Sequence, residues 1–224
     1  MSLPVARGKY LYCVLLRVSP MIRVLVVDDH PIVCEGLSAI IENEDDLSIA
    51  GTAGDGIEAA HQFTQLRPDV VLMDMQMPKA SGAEAIATIL ADDPTARIIV
   101  LSTYAGDASA TRALKMGAAG YMLKSNARKV IVQAIRDVHA GKRFIDGSVA
   151  SEIANHVGER DLTPREAQVL EEAAKGNGNR EIAQRLGISE ETVKHYFKSV
   201  FTKLSVSDRT HAVMEAVRRG MLSI

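Results

Sequence analysis

From position 22 onward, short apolar runs alternate with stretches whose apolar residues recur every three to four positions. Residues 22–27 (IRVLVV) are almost continuously apolar, as a strand buried on both faces requires. A helical pattern over 32–41 follows, then a strand over 47–53 and a helix over 56–66. A third apolar run at 69–73 is led in by Arg67-Pro68, and 83–90 reads as a helix. The turn Asp92-Asp93-Pro94 precedes a fourth strand at 97–101. A helix over 108–116 ends at Gly117, a residue suited to a left-handed C-terminal position. A strand at 118–123 and a helix at 127–140, closed by Gly141, complete five strand–helix units. Strict alternation predicts an α/β fold with a doubly wound, five-stranded parallel sheet. Ligand sites in such sheets lie beyond the C-terminal ends of the strands.

After residue 160 the pattern becomes all-helical. Thr163-Pro164-Arg165-Glu166 has the sequence of a capping box with proline at the first helical position, predicting a helix to about 175. Gly176-Asn177-Gly178 breaks it, and Asn179 is expected to cap a helix over 180–186. Gly187 supplies a tight turn, Ser189 caps a helix over 190–204, and a last helix follows Ser207 to about 219. Two helices joined by a short glycine turn form a helix-turn-helix, whose second helix enters the major groove of DNA. Ile182, Ala183, Leu186, Ile188, Val193, Val200 and Leu204 are its expected core.

The chain of 224 residues thus divides into an N-terminal extension (1–20), an α/β domain (21–141), a linker (142–160) with a short helix at 149–157, and an all-α four-helix domain (161–224). Charge supports the division. Residues 21–140 carry 10 Lys/Arg and 16 Asp/Glu, a net of −6, whereas residues 159–224 carry 11 and 10, a net of +1. The second half is therefore the one suited to nucleic acid. Aromatic content of 4% with no Trp argues against base stacking as the recognition mode. Cys13 and Cys34 make no metal-binding pattern and suit reduced thiols in the cytoplasm. The apolar run at 11–18 is too short for a membrane span, is interrupted by Arg17 and lacks a cleavage site, so neither a membrane anchor nor a signal peptide is expected.

Chemistry concentrates at the predicted strand ends. The first strand runs into Asp28 and Asp29, the third into Asp74, the fourth into Ser102, and the fifth carries Tyr121 and Lys124. Three neighbouring carboxylates repel one another unless a cation joins them. Hard oxygen ligands suit Mg²⁺ or Mn²⁺. Asp74 is then a candidate nucleophile toward a phosphoryl group, with Lys124 offsetting charge on the transferring oxygens and Ser102 donating to them. An enzyme is not expected: a phosphohydrolase would need a second acid near Asp74, and Met75-Gln76 offers none.

These residues sit in VLVVDDHP (24–31), a DxxMPxxxG pattern from Asp74 through Met77-Pro78 to Gly82, Ser102 after IIVL, and GYMLK (120–124). Their order and spacing across 22–140 resemble the receiver domain of two-component response regulators, which has a flavodoxin-like fold. The resemblance implies phosphorylation of Asp74 by a sensor histidine kinase. It implies a metal held by Asp29, Asp74 and the Gln76 backbone carbonyl, with Asp28 in support. Lys124 would pair with the phosphate, and Ser102 and Tyr121 would form a switch pair that moves inward.

The second half carries LTPRE (162–166), Gly176, Asn179 with EIA, LGIS (186–189), TVK (192–194) and KLSVSDR (203–209). It resembles the LuxR/NarL-type helix-turn-helix domain. Lys194, His195 and Lys198 are the candidate DNA contacts of the recognition helix, with Lys194 and Lys198 projecting together at i,i+4. Thr192, Ser199 and Lys203 are candidate phosphate contacts. Gly178 replaces the usual serine, and His195-Tyr196 departs from the family's pattern of any residue followed by histidine. Together the halves imply a phosphorylation-controlled transcription regulator that binds double-stranded DNA as a homodimer. The alternative is a constitutive DNA binder whose receiver domain serves only in dimerisation.

Overall fold

The computed structural model describes residues 21–103, 107–156 and 162–222. The N-terminal extension and Cys13 lie outside the described residues. Strands β1 (Ile22–Val27), β2 (Leu47–Ala53), β3 (Val70–Asp74), β4 (Ile98–Ser102) and β5 (Gly120–Leu123) alternate with five helices. These are α1 (Pro31–Glu42), α2 (Gly56–Leu66), α3 (Gly82–Asp92), α4 (Asp107–Met116) and α5 (Lys124–His139). All strand pairs are parallel. The two-residue pleat sends alternate side chains to opposite faces. Leu25, Val27, Val71, Met73, Ile98 and Val100 pack with Phe63 of α2, Ile86 and Ile89 of α3, and Ala110 and Ala113 of α4. Val24, Val26, Leu72, Ile99, Leu101 and Met122 pack with Leu37 and Ile41 of α1 and Ile131, Ile135 and Val138 of α5. Each large side chain so buried contributes about 1.5–3 kcal/mol.

The sheet has six strands rather than five, in the order β2-β1-β3-β4-β5-β6. The sixth, β6 (Phe144–Ile145), pairs with β5, and α6 (Gly147–Asn155) follows it. Val149 of α6 is fully buried in the same core as Ala110 and Tyr121. Most of the expected linker at 142–160 is therefore folded onto the sheet. Two residues are too few to show a strand period, which is why the strand escapes sequence inspection. Strand order reverses direction between β1 and β3, and this switch point sets the site.

The second unit consists of α7 (Pro164–Ala174), α8 (Asn179–Leu186), α9 (Glu190–Leu204) and α10 (Arg209–Arg218). Val169, Leu170, Ile182, Val193, Val200, Leu204 and Ala212 close its core, with Leu186 and Ile188 packed against it. Phe197, which the sequence pattern does not single out, is buried there too. Asn179 is the first residue of α8 rather than its cap. Gly178 takes the cap position, and the Glu181 carboxylate accepts the Gly178 N–H at 2.7 Å. Asp208 caps α10 by accepting the His211 N–H. Among the described residues, no helix is long and apolar enough to cross a membrane.

Candidate functional site

The register Val27↔Met73 across β1 and β3 brings Asp28 beside Asp74 at the switch point. Both carboxylates are buried, at 2% and 3% exposure, although isolated carboxylates rarely are. Lys124, at the start of α5, explains how they persist. Its Nζ lies 2.6 Å from Asp28 Oδ2 and 3.1 Å from Asp74 Oδ2. Burial pushes the Asp74 carboxyl above its ordinary value, against the pull of Lys124 and of the Gln76 N–H. For Lys124 burial works the other way, but Asp28 and Asp74 outweigh it and raise its pKa.

Asp29 and His30 complete the acidic edge. His30 Nδ1 is 2.9 Å from Asp29 Oδ1 and 3.2 Å from Asp28 Oδ1. Asp28, Asp29 and His30 together offer three closely spaced ligand atoms. Asp28 Oδ2, ion-paired with Lys124, and Asp29 Oδ1, next to His30 Nδ1, are buried without a well-aligned hydrogen bond. Oxygens of this kind fit a hard divalent cation. Sequence reasoning passed over His30, although it directly follows the two aspartates.

Ser102, at the end of β4, is buried, and Tyr121 on β5 is fully so. The two side chains are hydrogen-bonded to each other. The sequence reading has Tyr121 moving inward on phosphorylation, but here it is already inside, packed with Val100 and Ala110. Behind the site, Gly82 has no room for a side chain. A Cβ there would sit 2.1 Å from the Asp74 carbonyl oxygen. The glycine that closes the DxxMPxxxG pattern thus lets α3 start directly against the Asp74 backbone.

On the helical unit, Gly187 turns the chain with φ 65°, and the Ser189 hydroxyl caps α9. Lys194, His195 and Lys198 are exposed along one side of α9. Lys194 pairs only loosely, 3.3 Å from Glu191. The Thr192 hydroxyl is bonded to Ser189 at 2.8 Å. Ser199 and Lys203 do not join this face. Each successive residue turns about 100° around a helix, so these two share a different stripe. Ser199 Oγ donates to Glu166 Oε1 at 2.6 Å, and Lys203 Nζ lies 2.6 Å from Glu166 Oε2. Burial opposes charge on Glu166, yet Lys203, Ser199 and the Thr163 N–H hold its carboxyl at about 2. These two expected phosphate contacts therefore brace α9 against α7.

Three polar residues not among the expected DNA contacts extend the exposed face. A groove of about 550 Å³ is lined by Lys194, Lys198, Thr202, Asn179 and Arg209, with no acidic side chain among its walls. Arg209 stands 5.2 Å over the Phe197 ring and donates to the Asn177 carbonyl. It lies on α10, so no periodicity within α9 points to it.

A doubly wound sheet with an aspartate–lysine pocket at its switch point, followed by a four-helix helix-turn-helix unit, defines a response-regulator architecture. Residues 24–136 match the response regulator receiver domain, and residues 160–216 match the bacterial regulatory proteins of the luxR family. The chain belongs to the two-component response regulators that join a receiver to a LuxR-type DNA-binding domain. It is 35% identical over 217 residues to the transcriptional regulatory protein LnrK of Bacillus subtilis (strain 168), covering 90% of this chain and 99% of LnrK. Among solved structures it is similar to the response regulator ChrA of a haem-sensing two-component system (32% identity, TM-score 0.54, 90% and 99% coverage). It is also similar to RcsB from Salmonella enterica serovar Typhimurium bound to promoter DNA in the presence of phosphomimetic BeF₃⁻ (28% identity, TM-score 0.70, 87% and 97% coverage).

Proposed function

We propose that Asp74 accepts a phosphoryl group from a phosphohistidine of a sensor kinase, and that the modified chain binds duplex DNA as a homodimer in the cytoplasm. The observation that carries this reading is the Lys124 bridge between Asp28 and Asp74 beside the bonded Ser102–Tyr121 pair. A carboxylate oxygen of Asp74 attacks phosphorus in line. The P–N bond to the donor breaks, and its electron pair returns to the donor imidazole. No protein base is required, since the carboxylate is already anionic. Lys124 transfers its pairing from the Asp74 carboxylate to phosphoryl oxygen, and the Ser102 hydroxyl donates to another. Asp29, Asp74 and the Gln76 carbonyl, with Asp28 in support, would hold Mg²⁺ or Mn²⁺. That cation would supply charge neutralisation of the phosphoryl oxygens.

Lys194, His195 and Lys198 form the proposed major-groove face, with Thr192, Asn179 and Arg209 toward the sugar–phosphate strand. The RcsB structure on promoter DNA supports DNA as the ligand of the corresponding unit. One helix-turn-helix covers a single half-site, which favours a dimer. The test is intact mass with Mg²⁺ and acetyl phosphate. Wild type should gain one phosphoryl group, Asp74→Ala none, and only the modified wild type should dimerise on DNA. Equal DNA binding by Asp74→Ala and phosphodonor-treated wild type would leave the constitutive reading in its place.

A further inference from the structure

The acidic edge of the receiver carries a side chain that the proposed phosphoryl chemistry does not use. His30 precedes Pro31, which favours extended backbone there (φ −100°, ψ 106°) immediately ahead of α1. The Asp28 carboxylate anchors it twice: Oδ1 accepts the His30 N–H at 3.0 Å and lies 3.2 Å from the ring Nδ1. Nδ1 is also 2.9 Å from Asp29 Oδ1, a buried oxygen without a well-aligned hydrogen bond. Asp28, Asp29 and His30 thus each present one ligand atom, and these atoms all lie within 4.8 Å of one another. The His30 side chain is 64% exposed. Its ring hydrogen can therefore sit on Nε2, leaving the Nδ1 lone pair for a cation at little desolvation cost.

An imidazole nitrogen changes which ion such a site prefers. Mg²⁺ is held by oxygen and keeps much of its water. Carboxylate, carbonyl and water suit Mg²⁺, Ca²⁺ and Mn²⁺ alike, whereas imidazole suits the later first-row ions, with affinity rising from Mn²⁺ through Fe²⁺ to Co²⁺. No softer donor joins the set. The Cys34 thiol donates to the Asp28 carbonyl at 3.4 Å and is not part of the cluster. Two carboxylates and one imidazole are the donors of a borderline divalent ion, not of the thiolate-seeking ones.

We infer that His30 Nδ1 is a ligand for divalent transition ions in the receiver, so that this site takes Mn²⁺ or Co²⁺ in preference to Mg²⁺. With Mg²⁺ bound, the ring stays paired with Asp29. The inference rests on the proposed cation site of Asp29, Asp74 and the Gln76 carbonyl, and adds to it the atom that decides which ion is taken.

The test uses the full chain and the chlorides of Mg²⁺, Mn²⁺ and Co²⁺ alone, with no phosphodonor. Electron spin-echo modulation of bound Mn²⁺ detects a nitrogen bonded to the ion. Histidine labelled with the heavy nitrogen isotope should shift the modulation frequencies without altering any side chain, and His30→Phe should abolish the signal. Calorimetric titrations give the affinities. His30→Phe should lower Mn²⁺ and Co²⁺ affinity by about tenfold, the low end of what loss of a metal site's supporting groups costs, and leave Mg²⁺ affinity unchanged. Asp29→Asn should weaken all three ions. His30→Gln, which can still donate to Asp29, should behave as His30→Phe does. Wild-type ion preference in His30→Gln would overturn the inference, because His30 would then serve only to steady Asp29. An equal loss of all three ions in His30→Phe would overturn it as well. Mn²⁺ bound without a histidine nitrogen would overturn the inference and leave the proposed function standing. Failure of wild type to bind any of the three ions would remove the inference together with the cation's part in that function.

Discussion

Glu166 and Lys203 are 37 positions apart in the chain, yet their charged atoms meet at 2.6 Å across the α7–α9 boundary. The pair does more than join two helices. The same carboxylate accepts the Thr163 N–H at the start of α7 and the Ser199 hydroxyl on α9. It therefore fixes the recognition helix against the first helix of its domain.

The first prediction concerns acid stability. The Glu166 carboxyl is held at about 2, down from the ordinary 4.5. A depressed carboxyl stabilises the fold above its unfolded pKa and loses that contribution as pH falls toward the folded value. The helical unit should weaken between about pH 5 and pH 2, by roughly 2–4 kcal/mol. Glu166→Gln should show most of that loss at neutral pH and a flatter acid profile. Chemical denaturation of the full chain followed across this window tests it, and an unchanged profile in the variant would assign the acid sensitivity elsewhere.

The DNA face offers a sharper separation. Lys194→Ala and Lys198→Ala should each reduce the slope of log affinity against log salt by about one for every phosphate that the missing ammonium had neutralised. Ser199→Ala should leave the slope alone and cost about 1.5–3 kcal/mol of stability, as loss of a hydrogen bond to a charged group does. Affinity titrations at several salt concentrations distinguish the two. A reduced slope for Ser199→Ala would return that residue to the DNA face.

Gly82→Ala should damage phosphorylation without touching a reacting atom. The added methyl would meet the Asp74 carbonyl oxygen at 2.1 Å, so backbone on one side must move. Overpacking of this sort costs about 1–3 kcal/mol. The rate of phosphoryl uptake from acetyl phosphate, followed by mass, should fall severalfold while the fold persists. Uptake at the wild-type rate would show that the Asp74 backbone tolerates displacement.

Asp74→Asn should stabilise the metal-free chain at neutral pH, because burial disfavours this carboxylate more than Lys124 favours it. Millimolar Mg²⁺ should then raise the melting temperature of wild type and leave the variant nearly unchanged. A Mg²⁺-dependent rise of equal size in both would remove Asp74 from the ligand set.

Much of this was readable in the residues. The apolar runs gave β1 to β5 within a residue or two, because strands buried on both faces leave an uninterrupted signal. Asp28, Asp29, Asp74, Ser102 and Lys124 were legible as a group, since parallel strands send their C-terminal ends to one edge. Interactions between helices were not. Glu166 reads locally as half of a capping box, and nothing near it announces Lys203. Ser199 and Lys203 look like phosphate contacts until the helix is wound and the stripe they share is found to face α7. Tyr121 reads as a strand residue, but whether it points inside depends on how α4 packs. Arg209 owes its position to partners on other elements, which no local pattern encodes.

The docking of β6 and α6 onto the sheet has a consequence for reach. With α6 anchored, only the nine peptide steps from Asn155 to Pro164 join the two units. Even fully extended, they span about 30 Å. That is less than one turn of DNA, the separation of about 34 Å between successive half-sites. The DNA-binding unit is thus a hand on a short wrist. A pair of these chains has two such wrists, about 60 Å of combined reach, so operators whose half-sites are moved apart by several helical turns should lose it.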